Sequence, residues 1–252
     1  SGKVAAVYGK IPGAMKAYFS HVNDNGGVYG RKINLISKDD AYVPTLAVKA
    51  TNDLIMKDKV FAIVGALGTA NHLAALRSAN LSGRGVPDLF VNTGFSGFAN
   101  KAKYKTTFAV LPSYVMEAKI MAKFIKDTPT LAPQASFLIA QDDEFGSDGV
   151  AGFTTAGHKF SSTPILYPQG TMTAARAEGA LTALAAAAPG KPVLVLFART
   201  DVTATILKAA EKLELTKKFT FLAGSVGADA NTLLALGVKS TTIDGIVSAS
   251  FM

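Results

Sequence analysis

The sequence predicts an α/β protein with two domains, each a parallel sheet flanked by helices. Short apolar runs of strand length alternate along the chain with amphipathic, helix-like runs. The alternation completes one cycle and starts again near Pro112. We therefore expect a first lobe over residues 1–112 and a second lobe over residues 113–247.

Proline and glycine stand where some of the predicted helices begin or end, which supports those boundaries. Pro44 lies in the first turn of one helix, and Gly26-Gly27 follows the helix before it. Lengths of roughly 8–20 residues are normal for globular helices. The predicted helices cover residues 10–24, 44–57, 70–81, 114–126, 145–158, 173–187, 201–213 and 228–235.

The predicted strands are short apolar runs; Pro87 precedes one of them and Pro112 follows another. The longest run, PVLVLFA at 192–198, is far shorter than the roughly 18 residues that cross a bilayer. The predicted strands cover residues 32–37, 60–64, 88–92, 106–111, 135–140, 163–167, 192–197, 219–222 and 243–249.

Composition indicates a folded protein and excludes several classes. Of 252 residues, 49% are apolar and 17% are charged, which supports a sizeable core. The net charge is +8, but Lys and Arg are scattered as singles and pairs, which indicates a solvated basic surface and no nucleic-acid partner. The absence of cysteine excludes disulfides, thiolate catalysis and Cys-ligated metal.

Catalytic motifs are largely missing. His21, His72 and His158 are far apart in helix-like stretches, where we expect them on the surface or on a helix flank. GFSGF at 94–98 fails the G-x-S-x-G pattern because Phe98 stands where the second glycine belongs. There is also no G-x-G-x-x-G, P-loop or H-E-x-x-H motif. The sequence therefore favours a protein that is not an enzyme and holds no cofactor.

Two acidic pairs follow predicted strands, Asp39-Asp40 and Asp142-Asp143. Paired carboxylates there could hold Mg²⁺ for hydrolysis. The favoured interpretation is a solvated turn whose acids cap the following helix.

The strongest functional signal is a set of turns where predicted strands end, since open α/β sheets bind ligands at that edge. Gly68 and Thr69 lie in the small-residue turn GALGTAN, with Thr69 at the expected N-cap, and Ser96 lies in NTGFSGF. Backbone N–H groups and hydroxyls there could hold a carboxylate. Phe145 and Phe197 offer apolar contacts from the second lobe. The turns are GALGTAN (65–71), NTGFSGF (92–98), QDDEFG (141–146), FARTD (197–201) and AGSVGAD (223–229).

Four stretches together resemble type I periplasmic solute-binding proteins of the branched-chain amino acid class, which serve ATP-driven (ABC) uptake systems. The resemblance covers essentially the whole chain. It implies two Rossmann-like α/β lobes joined by three crossings, the second starting at 248–252, that close over a ligand. The stretches are VYGKIPGAMKAYFSHVNDNGGVYGRKINLISKDDAYVP (7–44), VGALGTANHLAAL (64–76), GVPDLFVNTGFSG (85–97) and AQDDEFGSDGVAGF (140–153).

The resemblance also implies roles for single residues. Thr69 matches a hydroxyl that binds the ligand carboxylate, and Gly94 and Ser96 match positions that hold the α-amino and α-carboxylate groups. Tyr8 matches an aromatic residue at the cleft rim, and Phe145 one that stacks on the ligand from the second lobe.

One turn departs from the family pattern. Ser225 or Val226 stands where the amino acid binders usually carry an acid, and Asp229 is too far along. A buried ammonium without a carboxylate partner is costly, so the ligand could be an acid without an α-ammonium group. Arg199 would strengthen that preference, or it could be solvated.

The resemblance further implies an ABC permease as partner, a periplasmic or extracellular location and a monomer. Family members have a strand before the first residue of this chain and continue beyond its last, so we expect truncation at both ends. Two alternatives stay open: a ligand-sensing regulatory domain of the same fold, and a metal-dependent hydrolase using Asp142 and Asp143.

Overall fold

The computed structural model describes residues 2–249, whose strands form two separate parallel sheets. The strands are β1 (Ile63–Val64), β2 (Asp88–Val91), β3 (Thr107–Ala109), β4 (Ser136–Gln141), β5 (Ile165–Tyr167), β6 (Val193–Phe197), β7 (Thr220–Ala223) and β8 (Val247–Ser248). The first sheet has the order β1-β2-β3 and the second the order β5-β4-β6-β7-β8. Every pair of neighbouring strands is parallel, as the sequence predicts.

Helices connect these strands. They are α1 (Ala5–Tyr8), α2 (Ile11–Asp24), α3 (Pro44–Met56), α4 (Thr69–Ala79), α5 (Leu81–Arg84), α6 (Tyr114–Asp127), α7 (Glu144–Thr155), α8 (Ala174–Ala187), α9 (Thr200–Lys212), α10 (Ala230–Ala235) and α11 (Ser240–Ile243). Three short 3-10 turns cover Gly2–Val4, Ser96–Ala99 and Ser225–Gly227. Within residues 2–249, no helix combines the length and the apolarity needed to cross a bilayer.

The two sheets have cores of different size. We call the part around the three-stranded sheet the first lobe and the part around the five-stranded sheet, including α6, the second lobe. Every residue of β4 and β6 is buried, because helices cover both faces of the second sheet. The first lobe has a smaller core between its sheet and α4, and α2 has no fully buried residue.

One predicted strand is wrong. Residues 32–40 form neither helix nor strand. A strand needs a hydrogen-bonded neighbour, and among residues 2–249 the edge strand of the first sheet, β1, pairs only with β2. The predicted strand 243–249 shortens to β8 because α11 occupies its start. Of the predicted crossing at 248–252, residues 250–252 lie outside the described residues, and the boundary at residue 112 stays a prediction.

Candidate functional site

A cavity of about 50 Å³ lies between the two lobes, and both contribute to its wall. This volume corresponds to about four waters. First-lobe residues around it include Tyr8, Tyr42, Gly68, Thr69 and Asn92; second-lobe residues include Tyr114, Gln141, Asp143, Phe145, Arg199, Thr200, Asp201, Val226, Thr232 and Leu236.

The turn before α4 brings backbone to the cavity. Gly68 has φ 88°, and a Cβ there would lie 2.6 Å from the Tyr42 hydroxyl, so only glycine fits. Gly68, and not Thr69, is the N-cap, which corrects the sequence prediction. The Thr69 hydroxyl instead bonds the Thr93 hydroxyl at 2.6 Å. The first helical bond joins His72 N–H to Gly68 O, so the described residues supply no acceptor for the N–H groups of residues 69–71.

A strained turn directs Tyr42 towards the cavity. Ala41 and Tyr42 have φ of 49° and 58°, which is unusual for residues other than glycine. The Ala41 N–H donates to the Asp39 carboxylate and the Tyr42 N–H donates to the Asp40 carboxylate, both at 2.9 Å. The first acidic pair therefore supports the backbone that positions a cavity residue.

Arg199 lies in the wall at 4% exposure, which excludes the solvated alternative. Its Nε and one terminal nitrogen donate to the two Asp201 oxygens at 3.0 and 2.8 Å, and the other terminal nitrogen donates to Gln141 Oε1 at 3.1 Å. Burial acts to lower the pKa of Arg199, but the Asp201 contacts outweigh it and the pKa is raised. Arginine carries five N–H groups, so two have no acceptor among the described residues.

Aromatic rings form another part of the wall. The Tyr114 and Phe145 ring centroids lie 4.7 Å apart. Burial is the main cause that raises the pKa of Tyr114 to about 12, so its hydroxyl is neutral. Phe197 is fully buried behind them, 4.8 Å from Phe145. The Arg199 guanidinium lies 5.3 Å from the Tyr42 ring centroid.

Ser96 and Ser225 already bind carboxylates of the protein. The Ser96 N–H and hydroxyl donate to the two Asp148 oxygens at 2.6 and 2.7 Å. The Ser225 N–H and hydroxyl donate in the same way to Glu117, at 2.5 and 3.1 Å. Burial raises the pKa values of Asp148 and Glu117, although the serine hydrogen bonds act in the opposite direction.

The predicted site residues therefore divide into two groups. Tyr8, Gly68, Thr69, Phe145 and Arg199 line the cavity, whereas Gly94, Ser96, Phe197 and Ser225 lie outside its lining. The Gly94 carbonyl accepts a hydrogen bond from the Tyr114 N–H at 2.7 Å. Direct ligand contact stays a prediction for all nine.

Several wall residues were not predicted as site residues, and four of them carry side chains that bear on ligand chemistry: Tyr42, Tyr114, Gln141 and Asp143. Gln141 and Asp143 stood in the quoted turn QDDEFG, so that turn was the available signal. Tyr42 and Tyr114 gave a weaker signal, an aromatic residue just before or at the start of a predicted helix.

His72 and Asp143 have structural partners. His72 is buried, against expectation, and its Nε2 lies 2.8 Å from an Asp88 oxygen because α4 packs this face on β2. Asp143 caps α7, accepting from the N–H groups of Phe145 and Gly146, as the favoured interpretation states. Within residues 2–249, no group of three or more His, Cys, Asp or Glu could hold a metal ion.

The fold and the interlobe cavity define a two-lobed binding protein, and comparison with known proteins gives its family. A profile of the periplasmic binding protein family matches residues 1–251, and the chain belongs to that family. Among curated protein sequences, none is significantly similar.

Solved structures share the fold at low identity. One is a solute-binding protein of an ABC transporter from Rhodopseudomonas palustris BisB5 in complex with 3,4-dihydroxybenzoic acid (21% identity, TM-score 0.71, covering 90% of this chain and 60% of that one). Another is the branched-chain amino acid transporter substrate-binding protein LivJ from Streptococcus pneumoniae in complex with isoleucine (20% identity, TM-score 0.74, covering 94% of this chain and 64% of that one). A third is a fatty acid ABC transporter substrate-binding protein from Thermomonospora curvata (19% identity, TM-score 0.76, covering 98% of this chain and 60% of that one). The chain spans less than two thirds of each of these proteins.

Proposed function

We propose that this chain is the binding part of an extracytoplasmic solute-binding protein of an ABC-type uptake transporter, that it is not an enzyme, and that it captures a small carboxylate in the interlobe cavity. The proposed partners are the ligand and a membrane permease, and the proposed location is the periplasm or the cell exterior. The protein would act as a monomer, closing its lobes over the ligand by a hinge motion.

The observation that carries the proposal is a pair of donor groups on facing lobes. The first lobe offers the N–H groups at the start of α4 that have no acceptor within residues 2–249, and the helix dipole there also favours an anion. The second lobe offers the two remaining N–H groups of Arg199. A carboxylate between them would bind both lobes and so stabilise the closed form.

The other residues of the cavity wall indicate which chemical group is attached to the ligand carboxylate. Rings of Tyr8, Tyr42, Tyr114 and Phe145 favour an apolar or aromatic group. Asp143 also lies in the wall, so it is a candidate to replace the acid that is missing at Ser225 or Val226. Its oxygens already accept hydrogen bonds from Gln141 and the start of α7. Simple acids and amino acids are therefore both candidates, as among the structural relatives.

A thermal-shift screen tests the proposal. The panel contains leucine, isoleucine, valine, benzoate, 3,4-dihydroxybenzoate and short aliphatic acids, with the matching amides as controls. A ligand at a hundred times its Kd stabilises the protein by about 2.7 kcal/mol. We expect stabilisation by at least one acid and by no amide. Stabilisation by amides and acids alike would contradict the carboxylate assignment.

A substitution at Arg199 tests its role in binding. Arg199→Lys keeps the charge but loses the planar fork, so we expect the affinity for the best acid to fall by roughly tenfold or more. Arg176→Lys is the matched control, because Arg176 is exposed and contacts Thr171 and the Leu166 carbonyl, away from the cavity. Isothermal titration calorimetry would measure both. Equal affinity in the Arg199 variant and wild type would remove Arg199 from the site.

A further inference from the structure

Asp148 makes a two-point contact between the lobes. It lies on α7 of the second lobe, and its two oxygens accept from the N–H and the hydroxyl of Ser96 in the first lobe. The contact is shielded, since Asp148 is 7% exposed. Hydrogen bonds to an ionised group are about twice as strong as neutral ones. An exposed pair joins the same helix to the first lobe, Arg77 with Glu144 at 3.8 Å, and such pairs contribute little.

The Asp148 carboxylate occupies the position on Ser96 that a ligand carboxylate would need. Both Ser96 donors are directed at Asp148, and Ser96 does not line the cavity. The two residues belong to different lobes, so a hinge motion that separates the lobes breaks both hydrogen bonds.

We propose that Asp148 and Ser96 form an interlobe latch that holds the closed form and directs the ligand carboxylate away from Ser96. Asp148 is then a positioning residue: it favours closure before the ligand contributes its own contacts. A latch of this kind raises apparent affinity, since the binding-competent form is populated in advance.

Small-angle X-ray scattering without ligand tests the latch directly. We compare wild type with Asp148→Ala, which loses both hydrogen bonds, and Ser96→Ala, which keeps the backbone donor. We expect the radius of gyration to increase most in Asp148→Ala, less in Ser96→Ala, and not in the control Glu144→Gln. The double variant should match Asp148→Ala, because both changes remove one interaction. Circular dichroism checks that each variant folds. If Asp148→Ala does not fold, Ser96→Ala, which is the smaller change, still tests the latch.

Ligand affinity gives a second readout, which rests on the proposed function. With the best acid from the screen, we expect Asp148→Ala to bind about tenfold more weakly than wild type. Tighter binding would overturn the latch, since it would mean that Asp148 competes with the ligand for Ser96. Unchanged scattering in Asp148→Ala would overturn it as well. The scattering result does not depend on any ligand, so it can succeed or fail independently of the carboxylate assignment.

Discussion

At the scale of single residues, the cavity depends on backbone conformations that most residues avoid. Gly68 and Tyr42 approach each other closely, and both have positive φ. Such conformations cost about 1–3 kcal/mol for residues other than glycine and tend to occur at functional sites. The turn before α4 therefore tolerates less change than its plain composition indicates.

Substitution of Gly68 should show this cost. We expect Gly68→Ala to lower the free energy of unfolding by more than the 1–3 kcal/mol of backbone strain, because the new methyl group would overlap the Tyr42 hydroxyl. Gly30→Ala is the control: φ is 75° there, but within residues 2–249 no atom outside Gly30 and its two chain neighbours lies within 4 Å of the added Cβ. Urea unfolding of both variants measures the difference. Equal losses of unfolding free energy in the two variants would mean that the Tyr42 side chain moves away from the new methyl group without cost.

The buried carboxylate of Glu117 should make stability depend on pH. Burial raises its pKa, with the Ser225 hydrogen bonds opposing. Because the pKa of Glu117 is raised in the folded state, this residue contributes stability below its pKa in the unfolded state, about 4.3. That contribution is lost as the pH rises through the pKa in the folded state. Glu117→Gln removes this titration. We therefore expect the stability of wild type relative to Glu117→Gln to decrease on going from pH 4 to pH 7, as measured by urea unfolding. A constant difference across this range would show that Glu117 has its ordinary pKa.

The sequence predicted several residues of the cavity wall, but not the partners of Ser96 and Ser225. Thr69, Phe145 and Arg199 follow strands, and strand ends are readable from apolar patterns. The carboxylates that bind Ser96 and Ser225 lie 52 and 108 positions away in the chain. No local pattern encodes pairs of that separation, so the two serines looked available for a ligand.

At the scale of elements, the sequence predicted the start of a helix closely where a side chain caps that helix. Ser113, Asp143, Thr173 and Asp229 each cap the helix that follows them through a side-chain oxygen. The predicted strand at 32–37 failed for a different reason. An apolar alternating run predicts a strand only if another strand lies beside it, and that condition depends on tertiary structure.

The cap of α7 can be tested with a neighbouring control. Asp143→Ala removes the acceptor for two backbone N–H groups, so we expect a loss of about 0.5–2 kcal/mol. Asp142→Ala alters the exposed neighbour in the same turn and should change stability by less than about 0.5 kcal/mol. Chemical denaturation distinguishes the two. A larger effect at Asp142 would contradict the assignment of the cap.

At the scale of the whole molecule, the lobes differ in how much they bury. The first-lobe core cluster has seven buried apolar residues, whereas the clusters on the two faces of the second sheet have 21 and 14 among the described residues. Several large apolar side chains of the first lobe are also exposed, including Tyr18, Phe61 and Phe90. Local stability follows buried apolar contact, so the second lobe should be the more stable part.

Hydrogen exchange should reveal this difference. We expect the amides of β4 and β6 to exchange slowest, near the rate set by global unfolding, and those of β1 and β2 to exchange through easier local opening. A bound ligand should slow exchange most in the first lobe, which gains an additional contact to the stable lobe. Uniform protection across both sheets would contradict the expectation.

The aromatic wall also has a spectroscopic consequence. The chain contains seven tyrosines and no tryptophan, and Tyr8, Tyr42 and Tyr114 border the cavity. Tyrosine emission is therefore not masked by tryptophan, and three of the seven tyrosines border the cavity. Occupancy by a solute should change the intensity of this emission, so the native protein would carry its own optical reporter.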